Sequence, residues 1–204
     1  MIAPDAFRFL IPLIVLTIAA FGMGWVVFGV LLLFLTSFVA FFFRNPPRTI
    51  PQDPSVIVSP ADGKVVKIDK VGNVTKVSIF LSLFNVHVNR SPIAGNIQAL
   101  DYRKGKFKAA YNHDASIENE RNTIMISNGR INLVFIQIAG VVARRIVFWK
   151  HIGDRVEKGD LVGLIRFGSR VDILFPAGTE VTVAVGDRVR GGSSPIGMIV
   201  KTNG

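Results

Sequence analysis

From Phe9 to Phe43 the chain runs for 35 residues without a charged side chain. As one straight helix this run would rise ~50 Å, well past the ~30 Å hydrocarbon core of a bilayer. Pro12 lies near its start, and Gly22-Met23-Gly24 interrupts it near the middle. Two shorter helices in a tight hairpin therefore fit as well as one tilted span. A cleavable secretory signal is a poorer fit, because its apolar core is only ~7–15 residues long. The sequence thus predicts a membrane anchor over residues 1–43, followed by a polar domain over residues 44–204.

The charge of the chain sits in that second part. Residues 1–43 hold only Asp5 and Arg8 among charged residues, and these cancel, so the net charge of +10 belongs to residues 44–204. Arg44 and Arg48 directly after the apolar run predict that the polar domain lies on the cytoplasmic side of the cell membrane. Basic residues there are also attracted to anionic headgroups. Nucleic acid is the usual rival partner for a basic domain. No aromatic RNA-binding motif, zinc-finger spacing or basic helix supports it here. The chain contains no Cys and only three His. A disulfide scaffold, a Cys-ligated metal and a cysteine nucleophile are excluded, and no metal site is expected.

After the stiff exit Asn45-Pro46-Pro47-Arg48 the pattern is that of strands. Residues 56–58, 64–68, 74–80, 86–88, 123–126, 131–138 and 181–185 are short, rich in β-branched side chains and bounded by turn residues. No long stretch after residue 44 carries a helical period. A mainly β domain of sandwich or barrel type is predicted. Ile152-Gly153-Asp154-Arg155-Val156-Glu157-Lys158-Gly159 repeats as Val185-Gly186-Asp187-Arg188-Val189-Arg190-Gly191-Gly192. Two such units resemble the barrel-sandwich hybrid of lipoyl and biotinyl carrier domains. The stretch Leu161–Gly178 contains no Lys to modify, so carrier chemistry is not expected.

Several polar groups stand out, each ordinary when taken singly. Ser59-Pro60-Ala61-Asp62-Gly63 is a turn sequence, His87 alternates with Val86 and Val88 on a strand, and Gly168-Ser169 reads as a turn between two apolar strands. Together with Phe84-Asn85-Val86-His87-Val88-Asn89-Arg90-Ser91-Pro92, Asn119-Glu120-Arg121, Phe167-Gly168-Ser169 and the upstream Phe43-Arg44-Asn45-Pro46-Pro47-Arg48, they form an ordered set. That set resembles the phosphatidylserine decarboxylase proenzyme family, in its short prokaryotic form, over roughly residues 40–200.

The resemblance implies a self-processing enzyme. Ser169 would attack the carbonyl of Gly168, and an N-to-O acyl shift followed by β-elimination would leave dehydroalanine and then a pyruvoyl group. The products would be residues 1–168 and 169–204, which stay associated. In the family the residues matching His87 and Asp62 act with the serine as base and orienting acid. A serine hydroxyl needs such a base at neutral pH, and histidine has the ordinary pKa range for it. The pyruvoyl carbonyl would form a Schiff base with phosphatidylserine and take up the electrons left by CO2, giving phosphatidylethanolamine. His113, Asn119 and Arg121 are candidate headgroup contacts. Larger members often carry His-x-x-His where this chain has Phe84-Asn85-Val86-His87, so the proton donor for decarboxylation is left open, as are a homo-oligomer and the diacyl or ether type of the lipid. The competing reading is a non-catalytic, membrane-anchored barrel-sandwich adaptor of a transport assembly. It accounts for the anchor and the Gly-Asp repeat, but not for Asp62, His87 and Gly168-Ser169 together.

Overall fold

The computed structural model describes residues 1–105, 119–140, 145–166 and 169–200. The chain forms two compact units, Met1–Pro47 and Arg48–Gly204.

In the first unit a 3-10 turn over Pro4–Ala6 leads into α1 (Phe7–Gly22), and α2 (Val26–Phe42) follows after a three-residue turn. The apolar run is therefore a helical hairpin rather than one long helix. Gly24 makes the reversal possible, with φ of 76°, a region open to glycine at no steric cost. The two helices close against each other where residues are small. A Cβ on Gly29 would lie 2.8 Å from the Phe21 ring. Further along, the Thr17 and Thr36 hydroxyls are 3.5 Å apart. Each is also tied to its own helix, at Leu13 O and Leu32 O. At the open end Ala3 N–H donates to Phe43 O (2.8 Å) and Asn45 N–H to Met1 O (2.7 Å). Most of the remaining helical surface is exposed and apolar, Val27 and Phe34 each at 78%. Pro4–Gly22 is long and apolar enough to cross a membrane.

Among its described residues the second unit is built of strands. Its main sheet has eight, in the order β13 (Arg188–Val189), β2 (Gly63–Val71), β3 (Val74–Leu81), β11 (Ser169–Phe175), β7 (Asn132–Ala139), β6 (Arg121–Ser127), β5 (Gly95–Arg103) and β9 (Arg155–Val156). All neighbours are antiparallel. Two three-stranded sheets complete it: β1 (Val56–Val58), β14 (Pro195–Ile199) and β12 (Thr179–Val181), then β4 (Val88–Arg90), β10 (Leu161–Ile165) and β8 (Ile146–Phe148). The core is aliphatic, with Ile79, Ile124, Leu133, Phe135, Val171 and Ile173 fully buried.

The strand order is a palindrome about β11 and β7, and the repeat in the sequence generates it. The two Gly-Asp units place β13 and β9 at opposite edges of the sheet. In one, Val65 N–H donates to Asp187 O and Gly186 N–H to Val65 O; in the other, Ile97 N–H donates to Asp154 O and Gly153 N–H to Ile97 O. The partner strands repeat too. Ser59-Pro60-Ala61-Asp62-Gly63 leads into β2 and Ser91-Pro92-Ile93-Ala94-Gly95 into β5. Ser59 Oγ donates to Ala61 O and Ser91 Oγ to Ile93 O, both at 2.6 Å. Both strands bulge at the same place, between Val65 and Lys67 and between Ile97 and Ala99.

Two expected strands differ. Residues 86–87 precede β4 instead of belonging to it. Asn85 Oδ1 accepts from the Ser82 N–H (2.8 Å) and hydroxyl (2.7 Å), which closes a turn and postpones the strand. Residues 182–185 leave β12 after Val181, because Asp187 Oδ2 accepts from Ala184 N–H and starts the next turn.

Candidate active site

Ser169 opens β11 in the middle of the main sheet. It lies opposite Leu81 of β3 and Ala139 of β7 and is fully buried. Side chains alternate along a strand, so Ser169 shares the core face with Val171 and Ile173. Its Oγ has no hydrogen-bond partner among the described residues. A buried hydroxyl in that condition is costly unless a function retains it.

The core face beside Ser169 is polar where an apolar surface is expected. Gln137 is two residues along β7 from Ala139, and Asn122 of β6 lies directly opposite Gln137. Asn122 Nδ2 donates to Gln137 Oε1 (3.1 Å), and Gln137 Nε2 donates to Asn89 Oδ1 (2.8 Å). All three amides are buried. On the opposite face Arg170 and Asp172 form a buried ion pair, with Nε to Oδ1 at 2.9 Å.

His87 is 1% exposed. Its Nδ1 is 2.9 Å from Asn85 O. A carbonyl only accepts, so that contact places a proton on Nδ1; in the neutral ring the lone pair is then on Nε2, the tautomer a general base requires. Ile165 N–H donates to His87 O at 3.2 Å. The loop that carries His87 is thereby pinned to the end of β10, four residues before Ser169.

Asp62 sits in the turn before β2 and has other partners. Arg48 Nη2 donates to Oδ1 (2.9 Å) and Oδ2 (2.8 Å), and Gly191 N–H donates to Oδ1 (2.8 Å). The Arg48 and Asp62 side chains are only 9% and 13% exposed. Arg90 stands close by, and Arg90 N–H donates to Pro60 O. Burial first, then Arg48, pushes the Arg90 guanidinium below its usual value, against the pull of Asp62 and Asp160. The resemblance implies a tautomer-fixing role for Asp62; among the described residues the contacts are Asn85 O with the His87 ring and Arg48 and Gly191 with Asp62.

Asn119 is buried and donates from Nδ2 to Ala139 O (2.7 Å), so it braces the strand opposite Ser169. Arg121 begins β6 opposite Ile138 and is partly exposed. Gly168 and His113 lie outside the described residues. No group of three or more His, Asp or Glu able to hold a metal is present among the described residues. Sequence reasoning missed Arg48, Asn89 and Gln137 as site residues. Arg48 and Asn89 were inside quoted motifs, and Gln137 is the one polar side chain on the buried face of an otherwise apolar strand.

A buried serine at the start of a central strand, a histidine oriented by a backbone carbonyl and a carboxylate held by an arginine are thus set in one mainly β domain. Comparison with known proteins identifies the family. The family model for phosphatidylserine decarboxylase matches residues 35–197. The chain is 48% identical over 169 residues to a phosphatidylserine decarboxylase proenzyme of Solibacter usitatus, covering 83% of this chain and 82% of that protein. With the proenzyme of Carboxydothermus hydrogenoformans it shares 47% identity over 207 residues, covering 96% and 95%. With that of Wolbachia pipientis it shares 42% over 211 residues, covering 98% and 91%. The chain belongs to the phosphatidylserine decarboxylase family.

Proposed function

We propose that the protein is a self-processing decarboxylase that converts phosphatidylserine to phosphatidylethanolamine and CO2. The observation that carries this reading is Ser169, fully buried at the head of a central strand with its hydroxyl unbonded among the described residues. It is the residue from which the family's carbonyl cofactor would be made, and its surroundings fit that use. The position is dry, enclosed by strands on both sides and bordered by amides able to hydrogen-bond a carbonyl.

In maturation His87 Nε2 accepts the Ser169 hydroxyl proton, and the oxygen attacks the carbonyl of the residue before it. The C–N bond breaks, the amine of residue 169 takes a proton, and an ester joins the segments. Loss of the α-proton of Ser169 expels the carboxylate of residue 168. Hydration and release of ammonia then leave the ketone. The resulting pyruvoyl group supplies a carbonyl for the substrate amine and an electron sink when CO2 leaves. Asn89, Gln137 and Asn122, buried on the core face that Ser169 shares, would offer polar atoms to such a carbonyl, and the apolar core would exclude water. The hairpin of residues 7–42 inserts in the membrane and keeps the enzyme beside its lipid.

Intact-mass analysis of the purified, detergent-solubilised protein tests this. The expected outcome is two chains that meet between residues 168 and 169, the smaller one blocked by a pyruvoyl group. Ser169→Ala should remain a single chain and release no CO2 from phosphatidylserine. Release of CO2 by that variant would refute the mechanism.

A further inference from the structure

The core face of the main sheet carries an acid that self-cleavage does not use. Ser169 lies opposite Ala139 of β7, and Ala139 N–H donates to the carbonyl of Glu120 at 2.9 Å. Arg121 lies opposite Ile138, so that bond continues the ladder and sets Glu120 opposite Ala139. Residues directly opposite share a face, so Ser169, Ala139 and Glu120 form one row on the core side. Two strand spacings of about 4.8 Å separate the ends of this row, and only an alanine side chain stands between them. Glu120 is 5% exposed, and it is the one buried carboxyl on this face among the described residues.

A second row leads to the same carboxyl. Glu120 Oε1 accepts from Ile146 N–H at 3.1 Å. Ile146 of β8 lies opposite Ile165 of β10, and Ile165 N–H donates to His87 O. The two rows therefore meet at Glu120 and end at Ser169 and His87. Oε1 also accepts from the Tyr102 hydroxyl at 2.7 Å. Tyr102 of β5 lies opposite Asn122, the first of the buried amides, and is itself 49% exposed. A buried acid in the row of Ser169 is thus joined to water through one phenol.

Decarboxylation of an amino-acid headgroup needs such a group. Loss of CO2 leaves an electron pair on the α-carbon, and each turnover consumes one proton from solvent. The neutral His87 ring has its single N–H committed to Asn85 O. The Asp62 carboxylate is held by Arg48 and Gly191. We propose that Glu120 is the acid that protonates the substrate α-carbon after CO2 has left, with Tyr102 as its link to solvent. The Glu120 O–H bond breaks as the C–H bond forms. The carboxylate recovers a proton from Tyr102 along their hydrogen bond, and the phenol takes one from water. The inference rests on the decarboxylase reading and supplies the proton donor that the sequence leaves open.

Glu120→Gln keeps an oxygen to accept both bonds and removes the acid. The variant is matured, checked for complete cleavage by mass, and assayed for CO2 release from monomeric dihexanoyl-phosphatidylserine. Its kcat should fall roughly a hundredfold or more, as loss of a general acid does, with KM nearly unchanged. The smaller chain should change as well. Without the acid the proton is taken up at residue 169, the substrate nitrogen stays there, and water releases the rest of the substrate as an aldehyde. After turnover, Edman degradation should then find alanine at the head of the smaller chain, whereas the unaltered protein stays blocked. Tyr102→Phe leaves Glu120 and its Ile146 bond in place and should lower kcat roughly tenfold, the loss of one hydrogen bond in the proton path. It carries the test alone if Glu120→Gln does not cleave. Asp101→Asn, on the opposite face of the same strand, should alter neither kcat nor the blocked end. A raised KM with kcat intact would make Glu120 a headgroup anchor and overturn the proposal. So would an unchanged kcat in either variant that cleaves, which would leave protonation to His87 or water. Absence of cleavage and of CO2 release in the unaltered protein would instead refute the decarboxylase reading itself.

Discussion

Asp62 and His87 each have a fixed partner, and neither is the other. Arg48 clamps Asp62 with one nitrogen shared between both carboxylate oxygens, while the Asn85 carbonyl sets the His87 ring. Arg48→Ala should therefore leave the Asp62 carboxylate largely buried with a single backbone donor. A hydrogen bond to a charged group contributes about 1.5–3 kcal/mol, so the appearance of the 169–204 chain should slow by roughly ten- to a hundredfold, read by mass against time. A second residue reports on the loop opposite Ser169. The Tyr102 hydroxyl donates to Glu120 Oε1 at 2.7 Å. Burial first, then that bond and the Glu120 charge, pushes Tyr102 up to about 12 from 10.0. Because the folded value is the higher one, its contribution to stability is whole below pH 10 and is lost as pH rises through about 12. Absorbance titration of the phenolate should show this late ionisation, and Glu120→Gln should move it down.

At the scale of elements, the sequence was readable where one face of a strand is buried and the other is wet. Strand β6 alternates in burial along its whole length, and its core was read correctly. Strand β11 was read only as an apolar strand after a Gly168-Ser169 turn, without its start at Ser169, because it is buried on both faces and carries Arg170 and Asp172, which look like surface residues. Only the three-dimensional pairing of those two side chains shows that they are interior. Strand β5 was missed because a bulge after Ile97 breaks its period. Half of the internal repeat was legible. The Gly-Asp units were found, but the matching Ser-Pro-x-x-Gly units were noticed only once β2 and β5 stood in equivalent places. Their glycines explain the match. A Cβ on Gly63 would lie 2.2 Å from Phe80 O, and one on Gly95 would lie 2.4 Å from Ser127 O. Both contacts are with backbone, which cannot swing aside. Gly63→Ala and Gly95→Ala should each destabilise the domain by about 1–3 kcal/mol, measured as similar losses in thermal midpoint. A large loss at one site and none at the other would deny the equivalence.

At the scale of the whole molecule, the membrane role proposed for the apolar hairpin predicts how the chain would meet a bilayer. Helix α1 of 16 residues and α2 of 17 rise ~24–26 Å, at the short end of what spans the ~30 Å hydrocarbon core, and the 3-10 turn lengthens the first arm only to Pro4–Gly22. The reversal between them, Gly22-Met23-Gly24-Trp25, carries no charge and so nothing that favours emergence into water on the far side. The opposite end is closed by the backbone bonds between Met1–Ala3 and Phe43–Asn45. On the proposed membrane reading the chain would therefore enter and leave the bilayer by the same face, with Arg8, Arg44 and Arg48 close to that end in sequence. The absence of Cys allows a direct check by single-cysteine variants in sealed vesicles. Ile2→Cys and Ser55→Cys should react with a membrane-impermeant maleimide from the same side. Met23→Cys, at the reversal, should resist it from both sides until detergent is added. Labelling of Met23→Cys from the side opposite Ser55→Cys would mean that the hairpin crosses the membrane completely, and the reasoning from helix length would fail.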